Sequence, residues 1–133
     1  MRGAMRWVVL LLAGALAACA GGPRVETKGG ESVNVYPDNY KAEVLAFLRN
    51  YLNDLSGIRE AGITVPAVRP VGNLERYVVC VRFDAKGPTG AYAGTREHLA
   101  IFLAGKLDQM AQTREQCKDA AYEPFPELER LRR

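Results

Sequence analysis

The chain of 133 residues carries 18 lysines and arginines against 15 aspartates and glutamates, a formal net charge of +3 at pH 7. Its length allows one small domain with a single core. Three arginines at the end of the chain (Arg130, Arg132 and Arg133) stand beside Glu127 and Glu129. We therefore expect a solvated terminus there, and this charge pattern argues against a protein that binds nucleic acid.

The first twenty residues have the pattern of an export signal. Arg2 and Arg6 precede an apolar run from Trp7 to Leu16, and no acidic residue occurs before Glu26. The run is shorter than the roughly 20 apolar residues that a membrane-spanning helix needs. A basic start, a short apolar core and an exit of small residues are typical of a secretory signal peptide.

The four residues that end this run, Leu16-Ala17-Ala18-Cys19, resemble the lipobox of bacterial lipoproteins. The resemblance implies a diacylglyceryl group on the sulfur of Cys19, cleavage after Ala18, and often acylation of the new amine. Ala20 stands where an aspartate would favour retention at the inner membrane, so the periplasmic face of the outer membrane is the expected location. The alternative is an ordinary signal peptide that is cut near Ala18, with Cys19 incidental.

The division of the chain follows from this interpretation. Residues 1–18 form the signal peptide, residues 19–37 hold the lipidated cysteine and a glycine-rich flexible tether, and residues 38–133 form one domain. Without Arg2 and Arg6 the formal net charge falls to +1. The remaining cysteines, Cys80 and Cys117, would enter an oxidising compartment, which predicts a disulfide between them. The alternative is two buried free thiols.

A helix is predicted after Asp38 or Asn39, either of which is a suitable N-cap, and it is expected to end at Ser56-Gly57. Apolar residues recur there with the period of one helix face. They are Val44, Leu45, Phe47, Leu48, Tyr51, Leu52 and Leu55.

Strands are predicted downstream of the helix. Ile63–Val71 contains Pro66 and Pro70 and therefore suits a sheet edge. Tyr77–Phe83 and Tyr92–Leu103 follow as strands, whereas residues 107–120 fit either a strand or a helix. The predicted fold is α+β, with one N-terminal amphipathic helix on a three- or four-stranded antiparallel meander, a two-layer sandwich. The helix is expected to cover Tyr77, Val79, Val81, Phe83, Leu99, Ile101 and Leu103.

The C-terminal tail is apolar but cannot form a continuous helix through Pro124-Phe125-Pro126. A disulfide at Cys117 would hold the tail near the second face of the sheet. We therefore expect Tyr122 and Phe125 to pack back on the domain. The alternative is an exposed docking peptide for a partner.

Residues for catalysis are sparse in this sequence. The chain has one histidine, His98, and lacks a Gly-x-Ser-x-Gly elbow, a Cys-x-x-Cys pair and a phosphate-binding loop. We expect no enzymatic activity, no metal site and no cofactor. Arg82, Arg96 and His98 form a weak anion site if they cluster on the second sheet face; otherwise they are a solvated basic edge.

These inferences predict a lipid-anchored envelope lipoprotein that is an interaction, structural or assembly-accessory module. Its partners would be the membrane, through Cys19, and an unidentified envelope protein. The predicted helix-then-meander order resembles the small lipoprotein subunit of the outer-membrane β-barrel assembly machine. The alternative is a lipid-anchored inhibitor or small-ligand-binding protein, similar to membrane-bound lysozyme inhibitors, which also combine a lipobox with a disulfide-bonded domain.

Overall fold

The computed structural model describes residues 34–113 and 115–133. The predicted signal peptide, Cys19 and the predicted tether up to residue 33 lie outside the described residues. In chain order the elements are helix α1 (Tyr40–Tyr51), strands β1 (Arg59–Ile63), β2 (Ala67–Val71), β3 (Leu74–Asp84), β4 (Arg96–Leu103), β5 (Lys106–Gln112) and β6 (Glu123–Pro124), and helix α2 (Pro126–Glu129).

The centre of the fold is a six-stranded antiparallel sheet with the order β5-β4-β3-β1-β6, in which β2 also pairs with β3. Strand β3 has 11 residues. One of its edges is therefore long enough to hold β2 along its first half and β1 along its second. The predicted two-layer sandwich of a leading helix on a three- or four-stranded meander is wrong, because the sheet has six strands and the helices are small.

The sheet has more strands than the predicted three or four for two local reasons. The stretch that reads as one strand around Pro66 is divided into β1 and β2, which pair with different parts of β3. Strand β6 consists of two residues, and it pairs with β1 through Gly62↔Pro124 and Ile63↔Glu123. A strand of this length that contains a proline leaves no periodic signal in the sequence. The resemblance based on helix-then-meander order loses its basis with the same correction.

Helix α1 is shorter than predicted. It ends at Tyr51, and Leu52 is extended with ψ 137°. In the next turn the Asp54 carboxylate accepts hydrogen bonds from the backbone N–H (2.8 Å) and the hydroxyl (2.6 Å) of Ser56. Such a local turn competes with the continuation of the helix by one more turn. This explains why the apolar spacing up to Leu55 overestimated the length of α1. The N-cap is Asn39, without a side-chain cap bond.

The two faces of the sheet bury separate apolar clusters. Val79 pairs with Ala100 and Val81 with His98, so these residues share the face on which Val44 and Leu48 of α1 are buried. The prediction that this face includes Leu99, Ile101 and Leu103 is wrong. Alternation within one strand separates its residues into two faces. It does not show which of those faces lies on the same side of the sheet as a given face of the next strand, because that depends on the register between the strands. The second cluster consists of Val78, Cys80, Leu99, Ile101 and Cys117.

The C-terminal tail lies on the domain and contributes to its main core. Phe125 and Leu128 are fully buried, and Leu131 is nearly so. The Phe125 N–H donates to the carbonyl of Ala61 at 3.0 Å, next to the β1–β6 pairing. Residues 107–112 belong to strand β5. In this part of the 107–120 stretch, which by sequence fits either a strand or a helix, the structure has a strand.

Candidate functional site

The predicted disulfide between Cys80 and Cys117 is confirmed, with the two Cα atoms 5.7 Å apart. It fastens the turn after β5 to the second face of the sheet, where both cysteines are buried. The chain has three cysteines. Cys19 therefore has no cysteine left in the same chain with which to pair.

The structure does not bring Arg82, Arg96 and His98 together. Arg82 lies opposite Glu97 and Phe83 lies opposite Arg96 in the β3–β4 ladder. Neighbouring strand residues point to opposite faces of the sheet. Arg82 is therefore on the second face, whereas Arg96 and His98 are on the face that carries α1.

Arg82 is exposed and belongs to a polar cluster with the tail. Its guanidinium lies 4.5 Å from the ring centroid of Tyr122, whose hydroxyl donates a hydrogen bond to the Glu97 carboxylate. Burial raises the pKa of Tyr122, and the hydrogen bond to Glu97 acts in the same direction. Since Tyr122 and Glu97 already engage this face, the cluster is better suited to holding the tail than to binding an anion.

Arg96 and His98 instead line an open pocket of about 420 Å³, which we call the helix-end pocket. It lies between the C-terminal end of α1, the C-terminal end of β3 and the N-terminal end of β4. Among the described residues, no aspartate or glutamate lines it. The lining consists of Tyr51, Leu52, Asn53, Phe83, Ala85, Lys86, Gly87, Ala93, Gly94, Arg96, His98 and Gln112.

His98 forms the inner side of this pocket. Its ring stacks on Phe83 with centroids 4.9 Å apart, and the side chain is only 9% exposed. Its Nδ1 is buried and has no hydrogen-bond partner within the described part of the chain. Burial lowers the pKa of His98; the backbone of Arg96 opposes this shift, and the Arg96 charge adds to it. His98 is therefore mainly neutral at pH 7.

A network of side chains fixes the loop that carries Lys86. The buried Asp84 carboxylate accepts hydrogen bonds from Arg59 Nε at 3.0 Å and from the Gly94 N–H at 2.9 Å. The Arg59 guanidinium lies 3.6 Å from the centroid of the Tyr92 ring, and the Tyr92 hydroxyl donates to the carbonyl of Gly57. Both ends of the loop are held, so its backbone provides a preorganised wall for the pocket.

The pocket has two cations that the domain does not neutralise by direct pairing. Within the described residues, neither Lys86 nor Arg96 forms an ion pair, whereas Asp84 is paired with Arg59. The pocket is thus positively charged, with aromatic walls from Phe83 and Tyr51. This combination suits a small anion that has an apolar part.

Sequence reasoning identified two of the pocket residues and missed Tyr51, Lys86 and Gln112. These lie on a helix end, a loop and a strand end, so no spacing in the sequence connects them. The one available signal was the turn-rich stretch Gly87-Pro88-Thr89-Gly90, which marks a loop between two strong strands.

The chain matches no protein-family model, no curated protein and no solved structure in the comparisons with known proteins. Across residues 34–113 and 115–133, no three histidine, cysteine, aspartate or glutamate side chains are grouped to hold a metal ion. In the same part of the chain, none of the helices has the length and apolar character required to span a membrane.

Proposed function

We propose that this protein is a lipid-anchored envelope lipoprotein whose domain is a non-catalytic interaction module. The observation that carries the proposal is the division of the three cysteines. Cys80 and Cys117 are joined, and Cys19 remains at the end of a sequence that resembles a lipobox. A disulfide between the two domain cysteines fits an oxidising compartment, which an export signal would provide.

The lipid anchor is tested by Cys19→Ser in cells that are fed an alkyne-labelled fatty acid. We expect the wild-type protein to incorporate the label and remain with membranes, and Cys19→Ser to lose both properties. Ser32→Ala is the matched control, because it changes a small polar side chain nearby and leaves the cysteine intact. Equal labelling and retention of Cys19→Ser and wild type would overturn the proposal.

The proposed interaction partner is another component of the envelope. Crosslinking in intact cells, followed by affinity purification of the lipidated protein, distinguishes the module from the inhibitor alternative. Recovery of a resident membrane complex supports an interaction module. Recovery of a secreted or host hydrolase instead supports a lipid-anchored inhibitor.

A second candidate function is the binding of small anionic ligands, and the helix-end pocket favours it. Arg96 and Lys86 supply charge without a paired carboxylate, and His98 supplies a buried polar atom at the inner wall. A carboxylate attached to an aromatic or aliphatic group would place its charge on Arg96 and its apolar part against the exposed ring of Tyr51.

The ligand-binding candidate is tested by titrating the domain with benzoate and, separately, with inorganic phosphate. The readout is the NMR signal of the His98 imidazole, the single histidine of the chain. We expect a saturable shift with benzoate that weakens several-fold in Arg96→Gln. Arg76→Gln is the matched control, since Arg76 lies outside the pocket. No saturable shift, or an equal shift in both variants, would exclude this candidate.

A further inference from the structure

Most exposed large apolar side chains of the described residues lie at one end of the domain. Tyr36 contacts the edge of Tyr77, with ring centroids 5.4 Å apart, and a Cβ placed on Gly105 would come 3.3 Å from Val35 Cγ1. We call this end the entry pole, because the chain enters the domain there. Its exposed apolar residues are Val35, Tyr36, Val68, Leu74 and Leu103.

The strand pairing places Val68, Leu74 and Leu103 at the same end of the sheet, with Val68 on the face that carries α1 and the two leucines on the second face. Val68 lies opposite Tyr77, and Tyr77 lies opposite Phe102, so Leu103 and the β4–β5 turn are at the same end of the sheet. The β2–β3 hairpin extends further in the same direction, past the Val68–Tyr77 pair. Leu74 lies next to the turn of this hairpin and is 58% exposed. The opposite end of the domain contains the helix-end pocket and Tyr51.

From this clustering we infer that the entry pole rests on the phospholipid surface to which the protein is anchored. The inference rests on the proposed lipid anchor at Cys19. Val35 follows Cys19 by 16 residues, and a chain of that length spans at most about 55 Å even when fully extended. The anchor is thus connected to the same end of the domain that exposes the apolar residues.

The chemistry of the entry pole matches the boundary between lipid headgroups and acyl chains. Tyr36 combines an apolar ring with a polar hydroxyl, and tyrosine is enriched at this depth in membranes. On the other sheet face, Arg76 follows Leu74 by two residues along β3 and, by extension of the ladder past Tyr77↔Phe102, lies opposite Leu103. An arginine there can bury its aliphatic stem beside the two leucines and direct its guanidinium to a lipid phosphate.

The orientation is tested with the full lipidated protein in vesicles of phosphatidylethanolamine and phosphatidylglycerol. A fluorophore is attached to Leu103→Cys or, as the matched control, to Tyr51→Cys, another exposed apolar position at the opposite end. A fraction of the lipids carries a nitroxide on the headgroup. We expect quenching at position 103 to be several-fold stronger than at position 51. Mass spectrometry of each sample measures the acyl groups on Cys19.

Each outcome has a defined meaning. An acylated protein with equal quenching at both positions overturns the orientation and leaves the lipid anchor standing. A protein without acyl groups overturns the anchor and, with it, this orientation. If the label at position 103 is already shielded in Cys19→Ser without vesicles, the pole is covered by residues 20–33 or by a second copy, and the orientation is overturned.

Discussion

His98 links burial at a single residue to the pH dependence of the whole domain. Its folded-state pKa lies below the ordinary value of 6.5, mainly because the ring is buried against Phe83. Below pH 6.5 the unfolded chain therefore binds more protons than the folded chain. The contribution of His98 to stability is fully present above pH 6.5 and is lost as the pH falls through the folded-state pKa.

We predict that His98→Phe removes this pH dependence. Phenylalanine retains a ring that can stack on Phe83 but has no proton to gain. The free energy of unfolding, measured with urea between about pH 5 and pH 7.5, should fall with decreasing pH in the wild type and stay flatter in the variant. Because the chain has one histidine, the difference between the two curves isolates this group. Parallel curves would contradict the prediction.

At the residue scale, the sequence was informative where chemistry restricts the partner of a side chain. Cysteine can form a disulfide only with another cysteine, so export and a count of three predicted Cys80–Cys117. The grouping of Arg82 with Arg96 and His98 depended on strand register instead. Register is set by long-range pairing across the 84–96 connection, and the alternation within one strand contains no information about it.

At the scale of elements, the C-terminal tail is the part that local patterns describe least well. Helix α2 has four residues and β6 has two, so neither would be stable alone. Their positions follow from burial of Phe125 and Leu128 beside β1 and from the hydrogen bond of Phe125 to Ala61. The helical period of α1 and the alternation of β3 were readable because each pattern repeats within its own element.

We predict that Phe125→Ala lowers the free energy of unfolding by about 3–5 kcal/mol, because it removes a fully buried ring. Val68→Ala is the control; its side chain is 44% exposed, and we expect a loss below about 0.5 kcal/mol. Urea denaturation of the oxidised domain measures both values. A similar small effect for both variants would contradict a packed tail and restore the exposed docking peptide.

At the scale of the whole molecule, two ends of the domain have different surfaces. The entry pole, where the described part of the chain begins, exposes several large apolar side chains, whereas the opposite end has the positively charged helix-end pocket. If the entry pole rests on lipid, the pocket faces away from the membrane. A ligand or protein partner would then reach Arg96 and Lys86 without competing with the headgroups.

This arrangement predicts that side chains at the entry pole, and not the length of the tether, determine the orientation. Insertion of about ten glycine and serine residues after Gly30 increases the tether span only with the square root of its length. It should leave most of the nitroxide quenching at position 103. The double variant Val68→Thr and Leu74→Thr keeps β-forming residues but removes apolar surface, so quenching there should fall to the level at position 51. The reverse result, in which the insertion abolishes quenching and the double variant retains it, would mean that the tether alone holds the domain near the lipid.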